Sequence, residues 1–320
     1  MTNELRSRLR GLFPAPAVPF DGALQIAEDE LGAHLTSMGR IDGVGGVAVN
    51  GHAGEVASLS VKERLRVVEI ARASMPTDKL VIAGLDALVP ADGVAELRAM
   101  RELGADAALV LPPFDTMSRR SLSQNATAVV DYFDQLGQAG VPLVVFQYPL
   151  MTGCSYPTEI LVEVAALEHV VAVKNAVWNA EFYAEQLAAL HGSVSVLAAC
   201  DAPELLTMMM TGADGLLLGA SSVGTELWAQ FVQAVDCGDY DRAREIFVPK
   251  LMPLLDAQFG VNRPRSATFT ALTKEALRQL GIFSSSAMRA PEVRPDQVDC
   301  DVIAQALHSA GLLSPGEATQ

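Results

Sequence analysis

Positive charge is scarce in this chain. Its 320 residues include 23 lysines and arginines against 38 aspartates and glutamates, a formal net charge of -15 at neutral pH. So acidic a protein repels a phosphate backbone, and no stripe of basic residues offsets the charge. We therefore expect no nucleic-acid partner and interpret the acidic residues as a solvated surface.

Metal-binding patterns and long apolar runs are missing as well. The four cysteines and five histidines are dispersed without ligand spacing, so we predict reduced thiols, no metal site and no cofactor. No uninterrupted apolar run approaches the roughly 18 residues that cross a membrane. Residues 1–10 are polar and lack the apolar segment of a signal peptide. The sequence predicts a cytoplasmic protein without a membrane partner.

Short β-branched runs alternate with helical patterns along most of the chain. Eight such alternations precede Gly238, and parallel strands joined by helical crossovers are typical of a (β/α)8 TIM barrel, here spanning residues 1–238. The predicted strands are Gly11–Phe20, Val44–Asn50, Lys79–Gly84, Asp106–Pro112, Pro142–Pro149, Val170–Val177, Val194–Ala199 and Gly215–Ala220. Residues 239–320 are expected to form a C-terminal helical extension that packs on the barrel.

A doubly wound open sheet is the structural alternative. That fold would more often show a glycine-rich dinucleotide loop after the first strand, and residues 14–19 contain no glycine. The barrel is therefore favoured.

The predicted sixth strand contains a lysine, Lys174. Burying an unpaired ammonium is costly, so such a lysine loses its proton more easily, and its neutral amine can form a Schiff base with a ketone or aldehyde. Strand alternation places Ala172 and Ala176 on the same face, with Val171 and Val173 on the other. The alternative is an edge-strand lysine that reaches into water.

A glycine-bounded loop follows the predicted second strand. In a barrel, chemistry gathers at the carboxyl ends of the strands, where this loop lies. Gly51 and Gly54 allow backbone N–H groups to turn inward as a nest for a carboxylate. A reactive lysine beside such a nest describes a site for a 2-oxo acid. Glu55, at the end of the loop, is interpreted as structural.

Several short motifs follow one another along the chain, namely Gly51 with Gly54 and Glu55, Leu59–Leu65, Tyr148–Pro149, Val173–Lys174, Gly212–Gly215, Leu280–Gly281 and Arg289–Pro291. Their order resembles the dihydrodipicolinate synthase and N-acetylneuraminate lyase family. This resemblance implies a (β/α)8 barrel with a helical extension, a homo-oligomer (dimer or tetramer), and a lysine Schiff base that joins or cleaves pyruvate-like 2-oxo acids, with Lys174 at the Schiff-base position.

The departures from the family pattern bear on the reaction. His52 and Ala53 replace two hydroxyl residues, Phe146 replaces a tyrosine of the fifth strand, and Phe114 replaces a tyrosine that a partner subunit lends. Met151 stands where the synthases carry an arginine for a second carboxylate. We therefore expect an enzyme other than dihydrodipicolinate synthase, with a neutral or apolar aldehyde as second substrate.

Two residues could replace the missing proton relay. Tyr148 projects from the same strand face as Phe146, and a histidine at position 52 titrates near neutral pH. The structural alternatives are a tyrosine packed under Pro149 and a solvent-facing histidine. The predicted catalytic residues are thus Lys174, Tyr148 and His52, and the predicted substrate-binding residues are Gly51, Ala53, Gly54, Phe114, Phe146, Met151, Gly219 and Ser221.

Other polar residues near strand ends receive structural interpretations. Asp201 after the seventh strand is interpreted as a helix N-cap, and Ser221 is also typical of a turn. The leading hypothesis is a Schiff-base lyase or aldolase acting on a 2-oxo acid and an aldehyde. The alternatives are a dehydratase of deoxy-sugar acids that uses the same imine, and an inactive barrel that binds a metabolite.

Overall fold

Eight parallel strands form a closed barrel in the computed structural model, which describes residues 2–114, 117–260 and 265–314. The sheet order runs from β1 through β8 back to β2, and hydrogen bonds between Leu12 and the backbone of Gly43 and Gly45 close the ring. The (β/α)8 prediction is confirmed. The strands are β1 (Gly11–Pro14), β2 (Gly46–Val49), β3 (Leu80–Leu85), β4 (Ala107–Val110), β5 (Leu143–Gln147), β6 (Val170–Asn175), β7 (Ser195–Ala198) and β8 (Gly215–Leu218).

Helices surround the barrel and continue into the extension. The first nine are α1 (Thr2–Arg8), α2 (Glu28–Gly39), α3 (Val61–Ser74), α4 (Pro90–Glu102), α5 (Ala126–Gly137), α6 (Thr158–Ala165), α7 (Ala180–Leu190), α8 (Glu204–Gly212) and α9 (Thr225–Asp236). The extension comprises α10 (Tyr240–Ile246), α11 (Met252–Phe259), α12 (Phe269–Gln279) and α13 (Gln297–Ala310), with a π-helical turn, Phe247–Leu251, joining α10 to α11. None of the described helices is both long and apolar enough to span a bilayer.

Two predicted elements have different boundaries in the structure. The first strand stops at Pro14 rather than Phe20, because the prolines that follow it have no amide hydrogen to continue the ladder. The sequence pattern also predicts a helix from Leu122 to Gln138, but α5 begins only at Ala126, where the Asn125 side chain accepts a hydrogen bond from the Ala128 amide and caps the helix.

The buried apolar side chains form two cores, an inner one within the barrel and an outer one between the strands and the surrounding helices. Ala172 and Ala176 lie in the inner core and Val173 in the outer one, as alternation predicts. Val171 lies in the inner core instead, and that part of the prediction is wrong. The register between β5 and β6 shifts beside Leu143, so an irregularity interrupts the alternation there.

Candidate active site

A cavity of about 210 Å³ opens at the carboxyl ends of the strands. Its walls combine the ends of several strands with two phenylalanines of the extension, so the barrel and its appendage build one chamber. The lining residues are Ala15, Gly51, His52, Ala53, Leu109, Phe146, Tyr148, Pro149, Thr152, Lys174, Ala176, Trp178, Ala199, Asp201, Gly219, Phe259 and Phe269.

Lys174 lies near the end of β6 and faces this cavity. Its Nζ is 3.6 Å from the centroid of the Phe146 ring. Phe146 lies on β5 directly opposite Lys174 in the register between the two strands. Burial lowers the pKa of the Lys174 ammonium to about 8, although the Asp201 carboxylate opposes that shift. The neutral, nucleophilic amine is therefore accessible near physiological pH.

Asp201 follows β7 and shares the cavity with Lys174. The prediction that it caps a helix is wrong: α8 begins at Glu204, with Pro203 at the cap position and no side-chain cap bond. Burial raises the pKa of the Asp201 carboxyl, with Lys174 opposing the shift. Its Oδ1 is buried and finds no hydrogen-bond partner among the described residues. Burial thus lowers the pKa of the amine and raises the pKa of the acid, so the two groups come to bind a proton with more similar affinity.

The two candidates for proton transfer lie together. Tyr148 directly follows β5, and its hydroxyl is hydrogen-bonded to Nε2 of His52 across the cavity mouth. The rings of Tyr148 and His52 are 5.4 Å apart, and Phe146 packs edge-on against Tyr148 at 4.6 Å. Tyr148 is buried, whereas His52 is exposed, so the pair connects the interior of the site with the surface.

The loop between β2 and α3 has a different backbone from the one expected. Its left-handed residues are Asn50 and Glu55, with φ of 57° and 53°, rather than the glycines. At position 54 a side chain would not fit, because a Cβ there would come within 2.8 Å of the Asn50 nitrogen. Within the described part of the chain, the amides of Ala53 and Gly54 donate to no protein acceptor. Of the two, Ala53 lines the cavity, so its amide remains available to a ligand carboxylate.

A buried ion pair fixes the far end of this loop. Glu55 Oε2 lies 2.5 Å from Nζ of Lys274 in α12, and both side chains are almost completely buried. Lys274 also donates to the Ala287 carbonyl at 3.1 Å and lies over the Phe20 ring. Glu55 is thus structural, as predicted, but through a partner that sequence patterns did not indicate.

Seven predicted site residues line the cavity and four do not. Gly54 lies behind the lining, and Ser221 is fully buried with its hydroxyl donating to the Leu218 carbonyl. Phe114 packs against Tyr132, with the ring centroids 6.0 Å apart, and Met151 is exposed to solvent. A substrate role for Ser221 is not supported, because its hydroxyl is satisfied internally.

Sequence reasoning missed several cavity residues. Trp178 and Thr152 follow β6 and β5, where the rule that barrel chemistry lies at strand ends could have found them. The stacked rings of Phe259 and Phe269, 4.8 Å apart, come from α11 and α12. No local pattern could have placed these two, since only the packing of the extension brings them over the mouth.

The comparisons with known proteins agree with this geometry. A model of the dihydrodipicolinate synthetase family matches residues 8–308. The chain belongs to this family. A 4-hydroxy-tetrahydrodipicolinate synthase of Bifidobacterium longum is 29% identical over 311 residues, covering 94% of this chain and 95% of that one. An uncharacterised DapA-like lyase of Rhizobium meliloti is 28% identical over 279 residues, covering 87% and 88%.

Solved structures of the family share the fold. A dihydrodipicolinate synthase described as a monomeric variant superposes with a TM-score of 0.85 at 20% identity, covering 96% of this chain and 99% of that one. The sialic acid aldolase of Ruminococcus gnavus gives 0.82 at 20% identity, covering 95% and 97%. Membership in this family makes the protein an enzyme of the lyase class.

Proposed function

We propose that the enzyme is a Schiff-base lyase that joins a pyruvate-like 2-oxo acid to an aldehyde or cleaves the product of that joining. The observation that carries this proposal is Lys174, whose amine faces a cavity and whose pKa is lowered by burial. The open amide of Ala53, which lines the cavity, supports the same substrate class, because it could hold the carboxylate next to the ketone.

The reaction requires proton transfers at several steps. The Lys174 amine adds to the keto carbon, and the former carbonyl oxygen leaves as water to give a protonated imine. Loss of a proton from C3 gives an enamine, which forms the carbon–carbon bond to the aldehyde, and the aldehyde oxygen takes up a proton. Water then hydrolyses the imine. The hydrogen-bonded Tyr148 and His52 carry these protons between the site and solvent.

The second substrate differs from that of the dihydrodipicolinate synthases. Met151, at the position of their carboxylate-binding arginine, is exposed and outside the cavity lining. Apolar side chains, among them Leu109, Phe259 and Phe269, form much of the wall. These features support a neutral or apolar aldehyde and an activity other than dihydrodipicolinate synthesis.

Borohydride trapping with pyruvate tests the proposal directly. The wild-type enzyme should gain the mass of a reduced pyruvate adduct, and Lys174→Ala should gain none, because no other amine is held in the cavity by the described residues. Lys62→Ala, which removes an exposed lysine, serves as the matched control and should be trapped like the wild type. An unmodified wild-type enzyme, or an adduct that persists in Lys174→Ala, would end the proposal.

A dehydratase of deoxy-sugar acids would form the same imine. Substrate profiling distinguishes it, since a dehydratase eliminates water from a single substrate and needs no aldehyde. An inactive, metabolite-binding barrel is disfavoured by the linked Tyr148 and His52, which supply a relay in place of the missing hydroxyls. Ligand-induced thermal stabilisation without imine or turnover would favour that alternative.

The enzyme assembles as a homo-oligomer in this proposal. Several apolar side chains in the loops after β3, β4 and β5 are exposed to solvent, namely Leu88, Val89, Met117, Leu150 and Met151. Met117 is the most exposed of these, at 91%. Large exposed apolar patches usually mark protein interfaces. Combining Met117→Glu with Met151→Glu should lower the mass measured by light scattering toward the 33.9 kDa monomer. Val298→Glu, at an exposed valine of α13, is the control and should leave the mass unchanged.

A further inference from the structure

A second chamber of about 390 Å³ adjoins the Lys174 cavity. Trp178, Asp201 and Phe259 line both spaces and form the boundary that the two share. The remaining wall lies between the start of α8 and α11, and consists of Ala202, Pro203, Glu204, Met252, Leu255, Asp256 and Gly260. The part of a substrate beyond the carbons that react at Lys174 would extend along these shared side chains toward the second chamber.

The wall of this chamber is apolar with acidic groups. Met252 and Leu255 join the two shared aromatic rings, while Glu204 and Asp256 add carboxylates to that of Asp201. None of its lining residues in the described ranges is a lysine, arginine or histidine. A carboxylate or phosphate entering it would meet like charges, and the described residues of the wall offer no compensating cation.

Some polar atoms of this wall lack partners. Asp201 Oδ1 and Glu204 Oε2 are buried and accept no hydrogen bond from the described residues, and Trp178 Nε1 donates none. Buried polar groups left in this state are costly, and a ligand that pairs with them gains correspondingly. Two acceptors and one donor on an apolar wall favour a ligand with a hydrogen-bond donor, and a cation could in addition lie over the Trp178 ring.

We propose that this chamber selects the aldehyde, taking one with an apolar body that bears a hydroxyl or ammonium group and rejecting one that bears a carboxylate or phosphate. The inference rests on the proposed Schiff-base function and adds the substrate class. It names Glu204 and Asp256 as specificity-determining residues, which act on the distant end of the aldehyde and leave imine formation with the 2-oxo acid unaffected.

A matched series of aldehydes tests this selection. Benzaldehydes carrying a methyl, hydroxymethyl, trimethylammoniomethyl or carboxylate group at the 3-position differ only in the group that would reach the chamber. With pyruvate as donor, kcat/KM for the hydroxymethyl compound should exceed that of the methyl compound by about tenfold, the effect of one hydrogen bond to a charged group. The trimethylammoniomethyl compound donates no hydrogen bond, and its positive charge over the Trp178 ring should raise kcat/KM by about tenfold as well. The carboxylate compound should be slowest.

Variants separate this inference from the proposed function. Combining Glu204→Gln with Asp256→Asn should reduce the discrimination between the cationic and the carboxylate aldehyde about tenfold or more, while pyruvate trapping stays at the wild-type level. Glu163→Gln, at an exposed glutamate of α6, is the control and should preserve the discrimination. Failure of pyruvate trapping in the wild type would sink the function itself, and with it this selection.

Three results would overturn the selection while leaving the Schiff base intact. One is a preference for the carboxylate aldehyde over the other three, and another is equal rates for all four. The third is discrimination that survives in the double variant. Position 263 is an arginine outside the described residues, so Arg263→Ala is measured as well. A preference for the carboxylate aldehyde that disappears in this variant would assign selection to Arg263 instead.

Discussion

Two lysines of this enzyme, Lys174 and Lys274, lie in buried surroundings but differ in their contacts. Each ammonium lies over a phenylalanine ring, Lys174 over Phe146 at 3.6 Å and Lys274 over Phe20 at 3.9 Å. Lys274 is also ion-paired with Glu55 and donates to a backbone carbonyl. Lys174, by contrast, forms no ion pair with the residues described and faces a cavity. Burial is therefore common to both lysines, and the one proposed to form the Schiff base is the one with few partners and open space beside it.

The causes that oppose the pKa shift also differ between the two lysines. Burial lowers the pKa of both ammonium groups. At Lys274 the Glu55 carboxylate opposes the shift by charge and by a direct bond, so the ion pair is retained as a structural link. At Lys174 Asp201 opposes it by charge alone, which leaves the amine free to react. The link at Lys274 connects the extension to the loop that carries His52 and Ala53.

The largest expected effect comes from exchanging each lysine for methionine. Lys274→Met leaves the Glu55 carboxylate buried without its partner, and we expect a loss of about 3–5 kcal/mol in the free energy of unfolding. Lys174→Met removes an unpaired buried amine, so its unfolding free energy should change by less than about 1.5 kcal/mol. Urea unfolding measures both, with Lys62→Met as the surface control.

A double variant sharpens this prediction. Replacing Glu55 by glutamine in Lys274→Met removes the orphaned charge and should restore part of the lost stability, with a coupling energy of about 0.5–3 kcal/mol. Equal losses for the two single lysine variants would show that the distinction between a paired and a free lysine is mistaken.

A smaller effect is expected from the proposed proton relay, Tyr148 and His52, which shares the cavity with Lys174. Tyr148→Phe removes the hydroxyl that contacts His52, so imine formation should persist while proton removal from C3 slows by about 100-fold or more. Exchange of the pyruvate methyl protons for deuterium, followed by NMR, isolates that step and requires no aldehyde. Tyr240→Phe, at an exposed tyrosine, should exchange at the wild-type rate. Unchanged exchange in Tyr148→Phe would show that the pair is only structural.

The two lysines also show what sequence can predict. The eight strands follow from alternating β-branched and helical patterns, and Lys174 stands out because it interrupts one of those strands. Lys274 lies on an amphipathic helix, where a lysine normally points to solvent, so its burial depends on how α12 packs. The cap prediction for Asp201 is wrong although an aspartate just before a helix usually caps it, because the position of this side chain in the cavity depends on the backbone after β7.

The smallest expected effect is the pH dependence of the exchange reaction, which reports the protonation of Lys174. Its pKa is lowered from 10.5 to about 8, so the neutral fraction, and with it the rate of methyl-proton exchange, should rise about tenfold per pH unit below pH 8 and level off above it. The Asp201 carboxylate raises the pKa of Lys174, and Asp201→Asn removes that charge. The inflection in Asp201→Asn should therefore move to lower pH, which separates a charge effect from proton transfer by Asp201. Single-turnover exchange between pH 6 and pH 10 measures the shift, and an inflection that stays in place or moves upward would mean that Asp201 does not act on Lys174 through its charge.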